Sequence, residues 1–253
     1  MKWHLLIIFT SLFFLNTNAQ NLEDLSQQLL IRQIQKKSTE EIEKKLSNLS
    51  LERLSNSLKT DTHKKTFWIN IYNGFILKKL RSNPKDYNKR NSFFSKKNIR
   101  IANHLFSFDD IEHTILRKQK WKFGFGYISN ATTSNMLKSL VVSQLDFRIH
   151  FALNCGAKSC PPIRIYTSNH LESQLNKAQK EFIRSSSKVN LNSIELSKLF
   201  LWYKGDFGSK SNILKLIEQN IGKVLKTKQI SYSTYLWDID LDNYILEEDL
   251  ISR

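Results

Sequence analysis

The chain has 253 residues, with 39 Lys and Arg against 23 Asp and Glu and a formal charge of +16. Hydrophobic residues make up 40% of it, with 16 Phe, 8 Tyr and 5 Trp, which excludes a disordered or low-complexity chain and calls for an aromatic core. The basic excess favours anionic partners such as an acidic envelope glycan or peptide, and the export argued next speaks against nucleic acid. Many lysines come as scattered doublets, such as Lys44-Lys45 and Lys78-Lys79, which helices can also place on ordinary solvated faces.

Residues 1–19, MKWHLLIIFTSLFFLNTNA, carry Lys2, an apolar run from Leu5 to Leu15 and small or polar residues ending at Ala19. This is the layout of a secretory signal with cleavage after Ala19, and the run is too short to span a bilayer. No later stretch is apolar enough for a membrane helix, so no span is expected after signal removal. Residues 20–58 read as an N-terminal helical extension and 59–253 as a globular domain. In the extension, Leu22 to Lys37 and Ser38 to Leu49 have helical texture, the second opened by a Ser38/Glu41 capping box, and both look peripheral.

From His63 to Leu80 apolar residues occur nearly all round, the mark of a helix buried on most of its surface. Ser82 to Ser95 reads as a basic loop, Ile99 to Phe106 as a short strand pair, and Ser107 to Asp110 as the cap of a helix through Lys118. Trp121 to Tyr127, with Gly124 and Gly126, is a turn, and Ser134 to Ser143 is helical. Phe147, Ile149, Phe151 and Leu153 alternate with Arg148, His150, Ala152 and Asn154, which predicts a strand with one packed face. A long helix follows from Asn169 to Arg184, a short strand at Val189 to Leu191, helices near Ser193 to Tyr203 and Ser209 to Lys226, and a strand from Ile230 to Trp237. The alternating aspartates Asp238, Asp240 and Asp242 read as a strand edge. The fold class is α+β, a helix-rich single domain with a small mixed or antiparallel sheet.

Three clusters carry chemistry. Asn70 and Asn73 share one side of the most apolar helix, where an unpaired carboxamide costs on the order of 1–3 kcal/mol, so each either ties loops to the helix or orients a catalytic ring. Asp109, His113 and Arg117 stack at four-residue steps beside Glu112, and an acid one turn before a histidine can fix its tautomer. Third, HFALNCGAKSCPP puts Cys155 and Cys160 in one glycine-containing loop with His150 and Asn154 just before it. The pair can be a disulfide, a nucleophile served by His113 or His150, or two ligands of a metal site; the isolated pair gives a metal little support, and no metal or cofactor is expected.

The stretches FWINIYN, FDDIEHTILR, RIHFALNCGAKSCPPIRIYT and WYKGDF together resemble the domain-of-unknown-function 547 family, whose bacterial members are often exported. The resemblance covers roughly Thr60 to Leu225 and implies that Asn70, Asn73, Glu112, His113, Arg148, His150 and the loop from Asn154 to Pro161 form one pocket. Plant relatives keep the Asn and Glu-His stretches but often lack the thiols, which raises His113 and the asparagines above the cysteines. The family brings no settled activity.

Two functions from different classes fit these residues. In the first, a papain- or transglutaminase-like hydrolase or acyl transferase, Cys155 (with Cys160 as second choice) attacks a carbonyl and His113 takes the proton. Glu112 or Asn73 holds the ring, and amides near Gly156 stabilise the oxyanion. Asn70, Arg148, His150, Asn154 and Gly156 then bind substrate. In the second, a non-catalytic module holds an acidic envelope glycan or peptide and Cys155–Cys160 is a structural disulfide.

Overall fold

The computed structural model describes residues 22–130, 133–190, 193–225 and 229–246. The signal-like residues 1–19 lie outside these. Among the described residues no helix is long and apolar enough to cross a membrane.

The chain opens with α1 (residues 22–34), α2 (Glu40–Ser47) and α3 (Leu51–Ser57), the last capped by Ser50. The expected Ser38/Glu41 box is not formed: Thr39 occupies the cap position and its hydroxyl turns to Glu43. Nor are these helices peripheral. Leu22, Leu25, Leu29, Ile42 and Leu46 belong to the same core as Trp68 and Phe106.

The axis of the fold is α4 (Asp61–Ser82), capped by Thr60 and buried from Lys65 through Leu77. Gly74 is tolerated in its interior, at a cost near 1 kcal/mol relative to Ala, because α1 crosses there. A Cβ at Gly74 would lie 2.1 Å from Leu29 Cδ2. The segment read as a loop is instead a 3₁₀ turn, Pro84–Lys89, followed by α5 (Arg90–Ser95), with Tyr87 and Phe93 buried. Proline at the first helical position, an opening signal, accounts for the difference.

Strands β1 (Ile99–Ile101) and β2 (His104–Phe106) form the expected antiparallel hairpin. Its two turn residues, Ala102 and Asn103, both have positive φ, and their amides donate to Leu46 O and Ser47 O at the end of α2. Those bonds satisfy helix-end carbonyls and hold an Ala in a conformation it rarely adopts. Ser107 and Asp110 then cap each other, Ser107 N–H to Asp110 Oδ2 and Asp110 N–H to Ser107 Oγ. The helix they open, Asp110–Leu116, is a π-helix in which Arg117 N–H reaches back five residues to Glu112 O. Such wide turns are rare and recur at functional sites.

Beyond the turn at 121–127 comes α6 (Asn135–Leu140), capped by Ser134. The predicted strand at 147–153 is not a strand. Phe147–Phe151 is a 3₁₀ turn capped by Asp146, and every residue from Ile149 to Asn154 is buried. The alternation misled because His150 and Asn154 are as buried as the apolar residues between them. Among the described residues no strand pairs with this segment; the Asn73 carboxamide stands in for one, its Nδ2 donating to Ala152 O and its Oδ1 accepting from Asn154 N–H, each at 2.9 Å. One turn earlier Asn70 does the same for Tyr166, donating to its carbonyl at 2.9 Å and accepting from its amide at 3.0 Å.

A 3₁₀ turn, Ser168–His170, leads into α7 (Leu171–Ser186). A three-stranded mixed sheet follows: β3 (Lys188–Val189) runs antiparallel to β4 (Ile194–Leu196), which runs parallel to β5 (Ile230–Tyr232). Thus the helix expected from Ser193 begins only at α8 (Leu199–Trp202), Ile194 and Leu196 being buried on one face of a strand. Helix α9 (Lys210–Ile221) ends on Gly222 in the left-handed region. The strand expected through Trp237 stops at Tyr232, and Asp238 to Asp242 runs beside the cysteine loop through single bridges rather than as a sheet edge. A second core, around Phe151, Phe200 and Phe207, joins α7, α9 and this sheet.

Replacing Asn73 by Ala leaves Ala152 O and Asn154 N–H buried without partners. Urea unfolding of Asn73→Ala is expected to show a loss of about 2–4 kcal/mol with an unchanged denaturant slope.

Candidate functional site

The π-helix, the 147–151 turn, the cysteine loop and the stretch after α8 surround a cleft of about 220 Å³. Its polar floor holds Asp109, Glu112, His113 and His150. Trp202, Tyr203, Tyr235, Trp237 and Phe94 form its walls, and Arg90, Asn91 and Lys122 stand at its rim. An outer chamber of about 540 Å³, which adds Phe123, Phe125 and Leu201, shares His113, Lys122, Trp202, Tyr203 and Trp237 with the inner one.

Glu112 is clasped by two phenols, Tyr72 OH donating to Oε2 at 3.0 Å and Tyr203 OH to Oε1 at 2.6 Å. Burial pushes its carboxyl up, but the charges of His113 and Arg117 and the Tyr203 hydroxyl outweigh this and leave it below its ordinary value. At neutral pH, where His113 is uncharged, Arg117 and the phenols hold the carboxylate. Burial and the Glu112 charge keep both phenols protonated, so they remain donors.

His113 sits between Arg117 and Asp109. Arg117 Nη1 lies 2.8 Å from His113 Nδ1, and a guanidinium can only donate, so Nδ1 is the acceptor and the ring proton is on Nε2. Nε2 lies 3.5 Å from Asp109 Oδ1. Burial, against the pull of Glu112, takes the imidazole down to about 4. The ring is therefore neutral and its lone pair is engaged, which corrects the expectation of His113 as a ready base. Asp109, raised by burial, is held in turn by Lys122 at 2.9 Å.

Behind the floor, Arg117 and Asp206 form a pair with no exposed side-chain surface, Nε to Oδ2 at 2.6 Å. The same oxygen lies 2.8 Å from His150 Nε2. Burial raises Asp206, but the hydrogen bonds from His150 and Arg117 bring it below its ordinary value, so His150 Nε2 donates to a carboxylate. The His150 ring stacks on Tyr203 with centroids 3.9 Å apart, and burial keeps it neutral. The Arg117 guanidinium lies 4.6 Å from the Tyr203 ring centre.

Cys155 and Cys160 are joined in a disulfide, and among the described residues no cysteine is free. Both sulfurs line the cleft, and Tyr235 OH lies 3.3 Å from one and 3.2 Å from the other. In this oxidised form neither is a nucleophile. Among the described residues no group of three His, Cys, Asp or Glu side chains is arranged to hold a metal ion.

Of the predicted site residues, Glu112, His113, His150, Cys155 and Cys160 meet in this cleft. The others do not line it. Asn70 and Asn73 are spent on the backbone, so Asn73 orients no imidazole. Arg148 is committed to Asp146, Glu172 and Asn176 at 2.7–2.8 Å, held by carboxylates that leave no fork for a substrate. Asn154 spans its own loop, accepting from Gly156 N–H and donating to Pro161 O, which removes that amide from any oxyanion hole. Gly156, with φ +89°, makes room for Leu80 rather than for a substrate.

Reading the sequence missed Tyr72, Tyr203, Asp206 and the wall of Trp202, Tyr235 and Trp237. The signal was partly visible: WYKGDF places three aromatics and an acid within six residues, and Tyr72 lies between the two asparagines. The family described as protein of unknown function, DUF547, matches residues 55–183 of this chain, just over half of it. No curated protein and no solved structure matches.

Because His113 takes up a proton near pH 4 in the native state and near 6.5 when unfolded, its stabilisation is complete above about 6.5 and is lost as the pH falls through about 4. His113→Gln, which can still accept from Arg117, is expected to remove on the order of 3 kcal/mol of the stability change across that window. Urea unfolding at steps between the two pH values reads it; a wild-type slope in the variant contradicts the assignment.

Proposed function

The chain belongs to the DUF547 family, and on that premise we propose that it is a binding protein for an acidic glycan, with the inner cleft taking a sugar ring. The observation that carries this reading is the segment Pro84 to Ser95, which faces two ways. On one side it lends Arg90 and Asn91 to the aromatic cleft, with the Arg90 guanidinium 4.7 Å from the Trp237 ring centre. On the other, Lys85, Lys89 and Ser92 line a second groove of about 440 Å³ together with Lys78, Lys79 and Lys96. Burial first, and then the neighbouring charge of Lys78, hold the Lys79 ammonium below its ordinary value against the pull of Glu43.

A polyanion lying along the lysines reaches Arg90 and then the aromatic walls. Indole and phenol faces pack against the apolar face of a sugar ring, while Asp109 and the rim cations supply partners for its polar groups. The disulfide clips the loop beneath the walls, and the signal-like residues 1–19 support an exported protein.

A second reading, a thiol-dependent hydrolase or acyl transferase, is favoured by one observation: both sulfurs line the same cleft as His113 and His150. It requires reduction of the disulfide. Thiol titration with thioester hydrolysis, before and after reductant, separates the two; hydrolysis that needs reductant and disappears in Cys155→Ser selects the enzyme.

Calorimetry with uronic-acid oligosaccharides and their neutral counterparts tests the binding reading. Affinity for the acidic series is expected to fall with salt, about tenfold in Trp237→Ala, and comparably in Lys85→Glu/Lys89→Glu with a shallower salt dependence. Equal affinity for neutral chains, indifferent to ionic strength, overturns it.

A further inference from the structure

The turn over residues 121–128 is fastened mainly by its backbone, with one side-chain tie from Lys122 to Asp109. Trp121 N–H donates to Ile128 O, Gly124 N–H to Trp121 O and Tyr127 N–H to Gly124 O, while Lys120 and Ser129 pair at its base. Its tip is tied to the body by Gly205 N–H donating to Phe125 O at 2.7 Å. Gly126, with φ +84°, lies so close to Asp206 that a Cβ there would come within 2.4 Å of the carboxylate. None of these attachments uses an aromatic side chain.

Yet Trp121, Phe123, Phe125, Tyr127 and Ile128 all stand in solvent, between 45% and 60% exposed. Scattered exposed hydrophobes need no explanation, but five in eight residues form a patch that contributes little to the core and marks a contact surface. The Trp121 and Phe123 rings already meet edge to face, 5.7 Å apart, so the patch is assembled before anything binds it.

Charge identifies the occupant. From Lys118 to Asn130 the sequence contains three lysines and no acid, and Lys204 immediately precedes the anchoring Gly205. Lys122 is turned inward to Asp109, whereas Lys118 is exposed. A second copy of this chain would bring the same lysines to the same place, and like charges facing each other oppose such a contact. Tryptophan and tyrosine side chains flanked by lysines instead suit the boundary of an anionic bilayer, with rings at headgroup depth and ammonium groups on the phosphates.

We propose that the 118–128 tongue seats the protein on the surface of an anionic lipid bilayer, with its aromatic tip in the headgroup–acyl boundary and Lys118 and Lys120 against the phosphates. The test uses residues 20–253, which contain every element described above and lack the apolar run of residues 1–19 that would itself enter lipid. Co-sedimentation is measured with vesicles of phosphatidylcholine alone and with added phosphatidylglycerol. Binding is expected on the anionic vesicles and to weaken with salt. Trp121→Ser/Tyr127→Ser, neither residue lining the cleft, is expected to reduce partitioning about tenfold or more, and Lys118→Glu/Lys120→Glu to bring it down to the phosphatidylcholine level. Unchanged thermal unfolding shows that the variants fold. Wild-type partitioning in the aromatic variant, or no binding to anionic vesicles, overturns the proposal. So does lipid-free self-association that Trp121→Ser/Tyr127→Ser abolishes, which would assign the patch to a second copy.

Discussion

The buried pair of Arg117 and Asp206 is the constraint on which the site depends. A guanidinium and a carboxylate without exposed surface carry a desolvation penalty that their mutual attraction offsets only when further hydrogen bonds satisfy them. Two imidazoles supply part of these bonds: Arg117 donates to His113 and Asp206 accepts from His150, while among the described residues Arg117 Nη2 and Asp206 Oδ1 have no hydrogen-bond partner. Removing either charge strands the other, a loss of about 3–5 kcal/mol in comparable buried pairs. The pair also joins distant parts of the chain, since Arg117 follows the π-helix, Asp206 follows α8 and His150 comes from the turn between them. The ionic bond thereby fixes where the floor meets the aromatic wall.

What positions the floor is a set of side chains whose carboxamides are spent on the backbone. Asn70 and Asn73 hold two strandless segments against α4 by supplying the amide contacts a sheet would supply. Asn154 does the same inside the cysteine loop. The family match ends at residue 183, so the floor of the cleft lies within it, whereas Trp202, Tyr203, Tyr235 and Trp237 lie beyond. The matched segment thus carries the charged base, and later segments of the chain enclose it.

Elements set by local rules were legible in the sequence: the all-round apolar α4, the hairpin, the Ser107/Asp110 cap and the helix after His170. Elements set by tertiary burial were not. The alternation over 147–153 is genuine, but period two marks a strand only when its polar residues reach water, and His150 instead reaches Asp206. Ile194 to Leu196 pairs with strands on either side, a long-range fact that three residues cannot announce. The site was half readable for a similar reason. Glu112 and His113 stood out as adjacent titratable groups and His150 by its place before the cysteine loop, whereas Asp206 lies 56 positions from its histidine, and the wall aromatics look like ordinary core.

Phe123 and Phe125 belong at once to the exposed turn and to the lining of the outer chamber. Doorway and footing are therefore one structure. Any body resting on these two rings also stands over the entrance, so traffic into the cavity and attachment at this face are sterically coupled without any moving part.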